Sequence, residues 1–254
     1  MGTRRIMPAG PSRFLSQSGG SCLLLPGREA ANGIVLLHGA QETPETILQN
    51  IDLEALAEEL GAALLLPSLG NSFGLDWGAG QAYRRFLLEE LLPWAGESCP
   101  CFAGRERCTV GGISMGGYAA LQLALSCPER FGRAFSISGA LALPRAAQLC
   151  RICGVPLPAL FGEAARLPEN SLSGLLEALA KSARPKPTLW LAWGDGDWFR
   201  QENVDFAEKA AALGCCVRAE EGRGNHDWHY WRRALPDTLR TVVNGSCNFH
   251  EIDI

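Results

Sequence analysis

The sequence predicts an α/β chain, a mostly parallel β-sheet with helices packed on both faces. Three observations predict it. Short continuous apolar runs, such as residues 33–37 (GIVLL) and 62–66 (AALLL), have the length and pattern of strands buried on both sides. From residue 33 onward such runs alternate with helical stretches, the order that builds parallel strands joined by crossover helices. The chain is 254 residues long and 47% hydrophobic, enough for one large domain with a sizeable core.

The elements follow in order. The run 33–37 ends in His38-Gly39 and reads as a buried strand. Residues 52–60 place Leu53, Leu56, Ala57 and Leu60 on one helical face. Gly61 closes that helix as a C-terminal cap. The strand 62–66 stops at Pro67, and 83–92 repeats the helical spacing through Phe86, Leu87 and Leu91. Residues 108–113 form a strand running directly into Ser114-Met115-Gly116-Gly117, and a helix over 118–125 ends near Pro128. Strands follow at 135–138 and 188–193, a helix at 203–213, a last strand at 215–219 and a last helix at 228–243, kinked at Pro236. The segment 141–187 breaks the rhythm. It carries Pro144, Pro156, Pro158, Pro168, Pro185 and Pro187, with one helical stretch at 172–179. It reads as a small inserted cap within a single domain spanning 1–254.

Composition narrows the function classes. Lys plus Arg is 23 and Asp plus Glu is 27, a formal charge of -4. That balance gives no basic footprint for nucleic acid and no polybasic surface for an anionic membrane. The two early arginines are not followed by an apolar run before Pro8, Gly10 and Pro11, so no secretory signal is read there. No apolar run is long enough to span a bilayer. The expectation is a soluble, cytoplasmic protein, with a homo-oligomer left open. In that setting the ten cysteines, Cys22, Cys99, Cys101, Cys108, Cys127, Cys150, Cys153, Cys215, Cys216 and Cys247, are expected as reduced thiols packed like small apolar residues. Cys99-Pro-Cys101 and Cys150-x-x-Cys153 supply only one knuckle of metal-binding spacing. No metal and no cofactor is expected.

The chemistry-bearing motif is Gly112-Ile113-Ser114-Met115-Gly116, a G-x-S-x-G between a buried strand and a helix. On a sharp strand-to-helix turn, flanking glycines avoid a β-carbon clash and the serine oxygen stands clear of the sheet. This is the nucleophile turn of α/β hydrolases. A serine nucleophile needs a base, and the chain order in such folds is serine, acid, histidine. Among His38, His226, His229 and His250, His38 precedes the serine and His250 lies beyond the last helix. His226 follows the last expected strand, on a loop above the sheet edge. His229 falls in the first turn of a helix and reads as structural. The acid belongs after the strand 188–193, where Asp195 and Asp197 compete; spacing alone does not separate them. Two backbone N–H donors should form an oxyanion hole, one from Met115 and one from Ala40, with Gly39 letting the backbone approach.

The chain is similar to the esterase D-type family of α/β hydrolases. That family includes tributyrin and acetyl esterases, feruloyl and acetylxylan esterases, and S-formylglutathione hydrolases. The stretches that carry the resemblance are VLLHGA, LEALAEELGAALLLPSLGNSFGLDW, YRRFLLEELLPW, GGISMGGYAALQLALSCPERFGRAFSISGAL, WGDGDWF and GNHDWHYW, spanning residues 33–232 in order. The family's glycine-x-x-aspartate falls on Gly194 and Asp197, which implies Asp197 as the acid. Its histidine before Asp-x-x-x-Trp falls on His226. The chain departs from the family at its start, where only 14–26 precedes the first matched strand, and in the loop 41–45, which lacks the usual glycines.

The resemblance implies a serine carboxylic ester hydrolase working through an acyl-enzyme on a small-molecule ester with a short, acetyl-type acyl group. A feruloyl or acetylxylan esterase, an S-formylglutathione hydrolase-like thioesterase and a silent hydrolase-like binding module are the alternatives. Trp77, Trp198 and Trp228 sit in loops at the sheet's C-terminal edge and are expected to bind substrate. Trp228 has the competing option of burial at the start of the last helix. Leu157, Leu160, Phe161, Leu172, Leu175 and Leu176 are the cap residues expected to line the pocket mouth.

Overall fold

The computed structural model describes residues 2–245 and 251–253. Cys247 and His250 lie outside the described residues. Along the chain, the short strand β1 (Arg4–Ile6) and strand β2 (Cys22–Leu25) precede β3 (Asn32–Leu37), α1 (Pro44–Asn50), α2 (Leu53–Leu60) and β4 (Ala62–Leu66). A continuous helical stretch then comprises α3 (Tyr83–Arg85), a π-helical segment (Phe86–Leu91) and α4 (Leu92–Ser98). Next come β5 (Cys108–Ile113), α5 (Met115–Ser126), β6 (Arg133–Ile137), α6 (Leu143–Ile152), α7 (Phe161–Ala164) and α8 (Leu172–Ala180). The chain finishes with β7 (Thr188–Gly194), α9 (Arg200–Ala212), β8 (Val217–Gly222), α10 (Trp228–Asn244) and β9 (Glu251–Asp253).

The strands form one sheet in the order β1-β2-β4-β3-β5-β6-β7-β8-β9. Only β2 runs against the rest, pairing antiparallel with both β1 and β4. Strand side chains alternate between faces with a period of two, and the core divides accordingly. Val35 and Leu37 of β3 and Ala63 and Leu65 of β4 pack with α4, α5, α8 and α9. Ile34, Leu36, Leu64 and Leu66 pack on the other face with α1, α2 and α10. Both faces are covered, so the strands read as continuous apolar runs.

Several elements differ from expectation. β1 and β2 are new; Arg4-Arg5-Ile6 is exposed along most of its length and carries no apolar run. α1 starts on Pro44 and is closed by the Thr43 N–H donating to Thr46 Oγ1 at 3.2 Å. The segment 141–187 holds three helices instead of one. Pro144 and Pro168 stand at the start of helical turns, where a missing N–H costs nothing. β8 is not the last strand, since β9 pairs with it in parallel. Pro236 lies inside α10 without ending it. Among the described residues no helix is long and apolar enough to cross a membrane.

The order of connections reverses at β3, which has β4 on one side and β5 on the other. Outside the carboxyl ends of such strands the loops diverge and leave a crevice. The loop after β3 and the turn after β5 therefore meet at one edge. The turn is crowded: a Cβ on Gly116 would lie 2.3 Å from the Leu37 carbonyl oxygen. Gly116→Ala is accordingly expected to cost about 1–3 kcal/mol or more. Gly96→Ala, inside α4 with open space around it, should stabilise by about 0.4–1 kcal/mol. Urea-melt midpoints of the two variants should move in opposite directions, and a Gly116→Ala midpoint at or above the parent's contradicts the crowding.

Candidate active site

Ser114 sits between β5 and α5 at φ 55° and ψ -113°, a conformation that costs a non-glycine residue of order 1–3 kcal/mol. Backbone bonds hold it there. The Ser114 N–H donates to the Ile137 carbonyl at 2.9 Å, and its own carbonyl accepts from Tyr118 and Ala140. No β-carbon fits at Gly112 either, since one would stand 2.6 Å from Leu37 O.

The structure brings Ser114, His226 and Asp197 together. His226 Nε2 lies 2.9 Å from Ser114 Oγ. His226 Nδ1 lies 3.1 Å from each carboxylate oxygen of Asp197. Asp197 is buried, and its Oδ1 also accepts the Phe199 N–H at 2.8 Å. Burial alone would raise this carboxyl; the hydrogen bond and charge of His226, the Ser138 hydroxyl and the Phe199 N–H outweigh it and hold it below its ordinary value. Ser138 is in turn fixed by the Trp231 indole, whose Nε1 donates to Ser138 Oγ at 3.0 Å. Three rings enclose the imidazole: Trp198 stacks on it at 5.4 Å, and Phe199 and Trp231 meet it edge-on at 5.1 and 5.0 Å.

Asp195 takes another role. It is exposed, and its Oδ1 accepts the Gly224 N–H at 3.0 Å, closing the loop that carries His226. His229 is exposed on α10. His38 is fully buried; its Nε2 accepts the Leu69 N–H at 3.0 Å, so its proton is on Nδ1, facing Gly39 O at 2.8 Å. Burial lowers its pKa, and it ties the end of β3 to the loop after β4.

A cavity of about 160 Å³ opens on Ser114. Ala40 and Met115, the two residues named as oxyanion donors, both line it. The neighbours of Ala40 are committed elsewhere: Gly39 N–H donates to Glu42 Oε2 at 3.0 Å and Gln41 N–H to Asn71 Oδ1 at 2.7 Å. Glu42 is a lining residue that the sequence reading missed. Its other oxygen accepts Trp228 Nε1 at 2.7 Å. Burial raises its carboxyl above the ordinary range, against the pull of the Trp228 and Gly39 hydrogen bonds.

Of the three tryptophans expected at the substrate, only Trp198 lines this cavity, with 53% of its surface exposed. Trp77 is displaced from it by two rings. It stacks on Phe161 at 5.5 Å, Phe161 packs on Phe73 at 4.8 Å, and Phe73 lines the cavity. Trp228 spends its indole N–H on Glu42 and its ring on Trp231. The cap residues that line the cavity are Ala146, Leu149, Cys150, Cys153 and Val155, from α6 and the turn after it. The six expected ones do not: Phe161, Leu172 and Leu176 are buried in the core, Leu157 and Leu175 pack against it, and Leu160 is exposed. α6 is tethered to the acid loop by Arg145, which donates to the Trp198 carbonyl at 2.8 Å and pairs with Glu202 of α9 at 2.9 Å. Burial pushes Glu202 up to about 7, against the Ala142 N–H and Arg145.

The profile of the family described as "Putative esterase" matches residues 76–242. An acetyl esterase of Caldicellulosiruptor saccharolyticus is 28% identical over 221 residues, covering 81% of each chain. The fluorophosphonate-binding serine hydrolase F of Staphylococcus aureus, solved with substrate bound, superposes with a TM-score of 0.83 at 21% identity. It covers 96% of this chain and 100% of that one. An S-formylglutathione hydrolase of the same organism gives 0.76 at 23% identity, covering 88% and 92%.

The geometry sorts the thiols by accessibility. Cys153 is exposed at the cavity mouth, Cys150 is partly buried beside it, and Cys99, Cys101 and Cys108 are buried. Burial pushes the Cys108 thiol up to about 12. Since the thiolate is the reactive form, iodoacetamide on the native protein should modify Cys153 first, and Cys101 and Cys108 only after unfolding. Peptide mass spectrometry over a time course checks the order; Cys108 labelled ahead of Cys153 contradicts it.

Proposed function

The chain belongs to this esterase family, and from that premise we propose that Ser114, His226 and Asp197 hydrolyse a neutral, short-chain carboxylic ester through an acyl-enzyme. The observation that carries the reading is the 2.9 Å approach of His226 Nε2 to Ser114 Oγ at the cavity, with Asp197 on the opposite ring nitrogen.

Ser114 Oγ attacks the ester carbonyl while His226 Nε2 takes its proton. Asp197 keeps the Nδ1 proton facing itself, so Nε2 is free to accept, and it stabilises the imidazolium that forms. The carbonyl oxygen becomes an oxyanion held by the Ala40 and Met115 N–H groups; Met115 is the first residue of α5, so the helix dipole adds to its donor. The tetrahedral species collapses as His226 protonates the leaving alcohol. Water, deprotonated by His226, then releases the acid by the same steps in reverse. The aromatic enclosure of His226 excludes bulk water from the ring and strengthens its charge interactions.

The small cavity, lined by Phe73, Ala146, Leu149, Val155 and Phe199, favours a short apolar acyl group. Among the described residues its lining includes Glu42 and no lysine or arginine. A leaving group such as glutathione, with two carboxylates, would find no cation in that lining, and the nearby Arg145 is already paired with Glu202. That favours an ester with a neutral alcohol over the thioester.

Ser114→Ala should abolish fluorophosphonate labelling and lower kcat by roughly 10⁴-fold or more. Asp197→Asn should lower kcat by about 10⁴-fold through the wrong histidine tautomer, while Asp195→Asn has a far smaller effect. Near-parental turnover by Ser114→Ala, or a larger loss from the Asp195 variant, sinks the assignment.

We assign the segment 141–187 to acyl selectivity through α6 and the turn after it. Leu149→Ala and Val155→Ala should each raise kcat/KM for a butyryl ester relative to an acetyl ester by about tenfold, the scale of a methylene in an apolar pocket. Unchanged ranking across acetyl, butyryl and feruloyl esters in both folded variants makes the segment scaffold only.

A further inference from the structure

The loop between β3 and α1 must hold the Ala40 N–H at one position relative to Ser114, yet its own backbone does little to fix it. Gln41 sits at φ 62°, a strained value for a side-chain-bearing residue. The one backbone bond inside the loop, Glu42 N–H to Gly39 O, is long at 3.3 Å. What holds the loop comes from side chains at its two ends.

On one side, the Glu42 carboxylate accepts two N–H groups with different origins. One is its own loop's Gly39 N–H; the other is the Trp228 indole N–H from the first residue of α10. The loop is thereby bonded to the segment that presents His226, two residues before Trp228. On the other side, Asn71 Oδ1 accepts the Gln41 N–H, and Asn71 Nδ2 donates to the Pro156 carbonyl at 3.1 Å in the cap. This arrangement admits only one amide orientation, since a flip would set donor against donor and acceptor against acceptor. Ala40 lies between the two bonded N–H groups.

A partly buried carboxylate is expensive to keep at a cavity wall. The start of α1 does not need it, because Thr43 and Thr46 already close that helix end. Its two bonds both serve the placement of Gly39 relative to the histidine loop. The approach is close: a Cβ on Gly39 would stand 2.8 Å from Glu42 Oε2 and 3.7 Å from Ser114 Cβ.

We infer that Glu42 and Asn71 are positioning residues for the oxyanion hole, clamping the Ala40 N–H from its two sides and registering it against the His226 loop and the cap. The inference rests on the ester-hydrolase reading of the site with Ala40 as a donor.

In an oxyanion hole a donor acts on the charge that develops in the transition state, so its misplacement lowers kcat and leaves substrate binding nearly intact. Glu42→Gln keeps the shape but turns an amide N–H toward one of the two donors. Asn71→Ala removes the other strap. Trp228→Phe keeps a smaller aromatic ring against Trp231 and removes the indole N–H. Glu42→Gln and Asn71→Ala should each lower kcat on an acetyl ester by about 10-fold to 100-fold, with KM within about twofold and Trp228→Phe intermediate. Affinity for an aryl trifluoromethyl ketone, which forms the tetrahedral oxyanion on Ser114, should fall by the same factor as kcat/KM. A role in folding alone would lower the melting temperature without moving kcat or the ketone affinity of the folded fraction. If Glu42→Gln does not fold, Trp228→Phe and Asn71→Ala carry the same test. Parental kcat in the folded variants, or a rise in KM with kcat intact, overturns the inference while the parent's own turnover upholds the ester-hydrolase reading. A parent that hydrolyses no ester and takes no fluorophosphonate overturns that reading itself.

Discussion

The backbone of Ser114 is the constraint on which the rest of the site depends. A serine at φ 55° and ψ -113° is not a conformation the local chain would choose. It survives because the surroundings over-determine it. Its N–H reaches β6, its carbonyl takes N–H groups from α5 and from Ala140 after β6, and the glycines at 112 and 116 let Leu37 O press within 2.6 Å and 2.3 Å of where their β-carbons would be. That same contact with the end of β3 brings the loop after β3 alongside the serine. The crowding that forces glycine into the motif and the proximity that supplies a second N–H donor are one packing fact seen from two strands.

A second strained residue supports the acid. Ser138, at the end of β6, sits at φ 52°. Its N–H donates to the Ala192 carbonyl on β7, its hydroxyl is oriented by Trp231, and it contacts Asp197. Trp231 bonded to Ser138, Ser138 beside Asp197, and the bonded run Asp197, His226, Ser114 thus cross from α10 to the turn after β5. Groups linked this way in a dry environment polarise one another. The enclosing rings of Trp198, Phe199 and Trp231 supply the low dielectric and leave the imidazole few rotamers.

Much of this was legible in the sequence because it is written locally. Buried parallel strands announce themselves as apolar runs, and the strand–G-x-S-x-G–helix order names Ser114. His226 and the acid loop follow from chain order, with the family pattern choosing Asp197 over Asp195. What escaped depends on distance or on side chains with two uses. β1 and α1 lack an apolar run of their own and are made by pairing and capping. The cap prolines look like breakers until their position at helix starts is known. The loops of Trp77 and Trp228 reach the right edge, which predicts contact with substrate, with burial as the competing option for Trp228. Yet an indole can turn its N–H inward, and Trp228 does so toward Glu42, 186 residues away. Glu42 itself carries no sequence signal; it sits in a stretch that differs from the family at the positions where glycines are usual.

The segment 141–187 also reaches the loops around Ser114 through two exposed hydrogen-bonded links. Asn71 links the loop before α1 to Pro156, and Arg145 links α6 to the carbonyl of Trp198, whose ring lies on His226. Both are exposed hydrogen bonds, individually worth about 0.5–1.5 kcal/mol at most, and the Arg145–Glu202 pair places a guanidinium that is half in water against a carboxyl that resists ionisation. By contrast the serine turn is gripped by backbone on three sides. The polar links of the segment 141–187 are weak beside its apolar anchors, since Leu143, Ala146, Phe161, Leu172 and Leu176 are buried in the core. On the reading proposed above, a longer acyl chain pressing on α6 would strain the Arg145 and Asn71 links before the backbone bonds that hold Ser114. On the same ester-hydrolase reading, displacing α6 and its turn also disturbs the Gln41 N–H held by Asn71 and the Trp198 ring on His226, which ties acyl-chain length to the placement of Ala40.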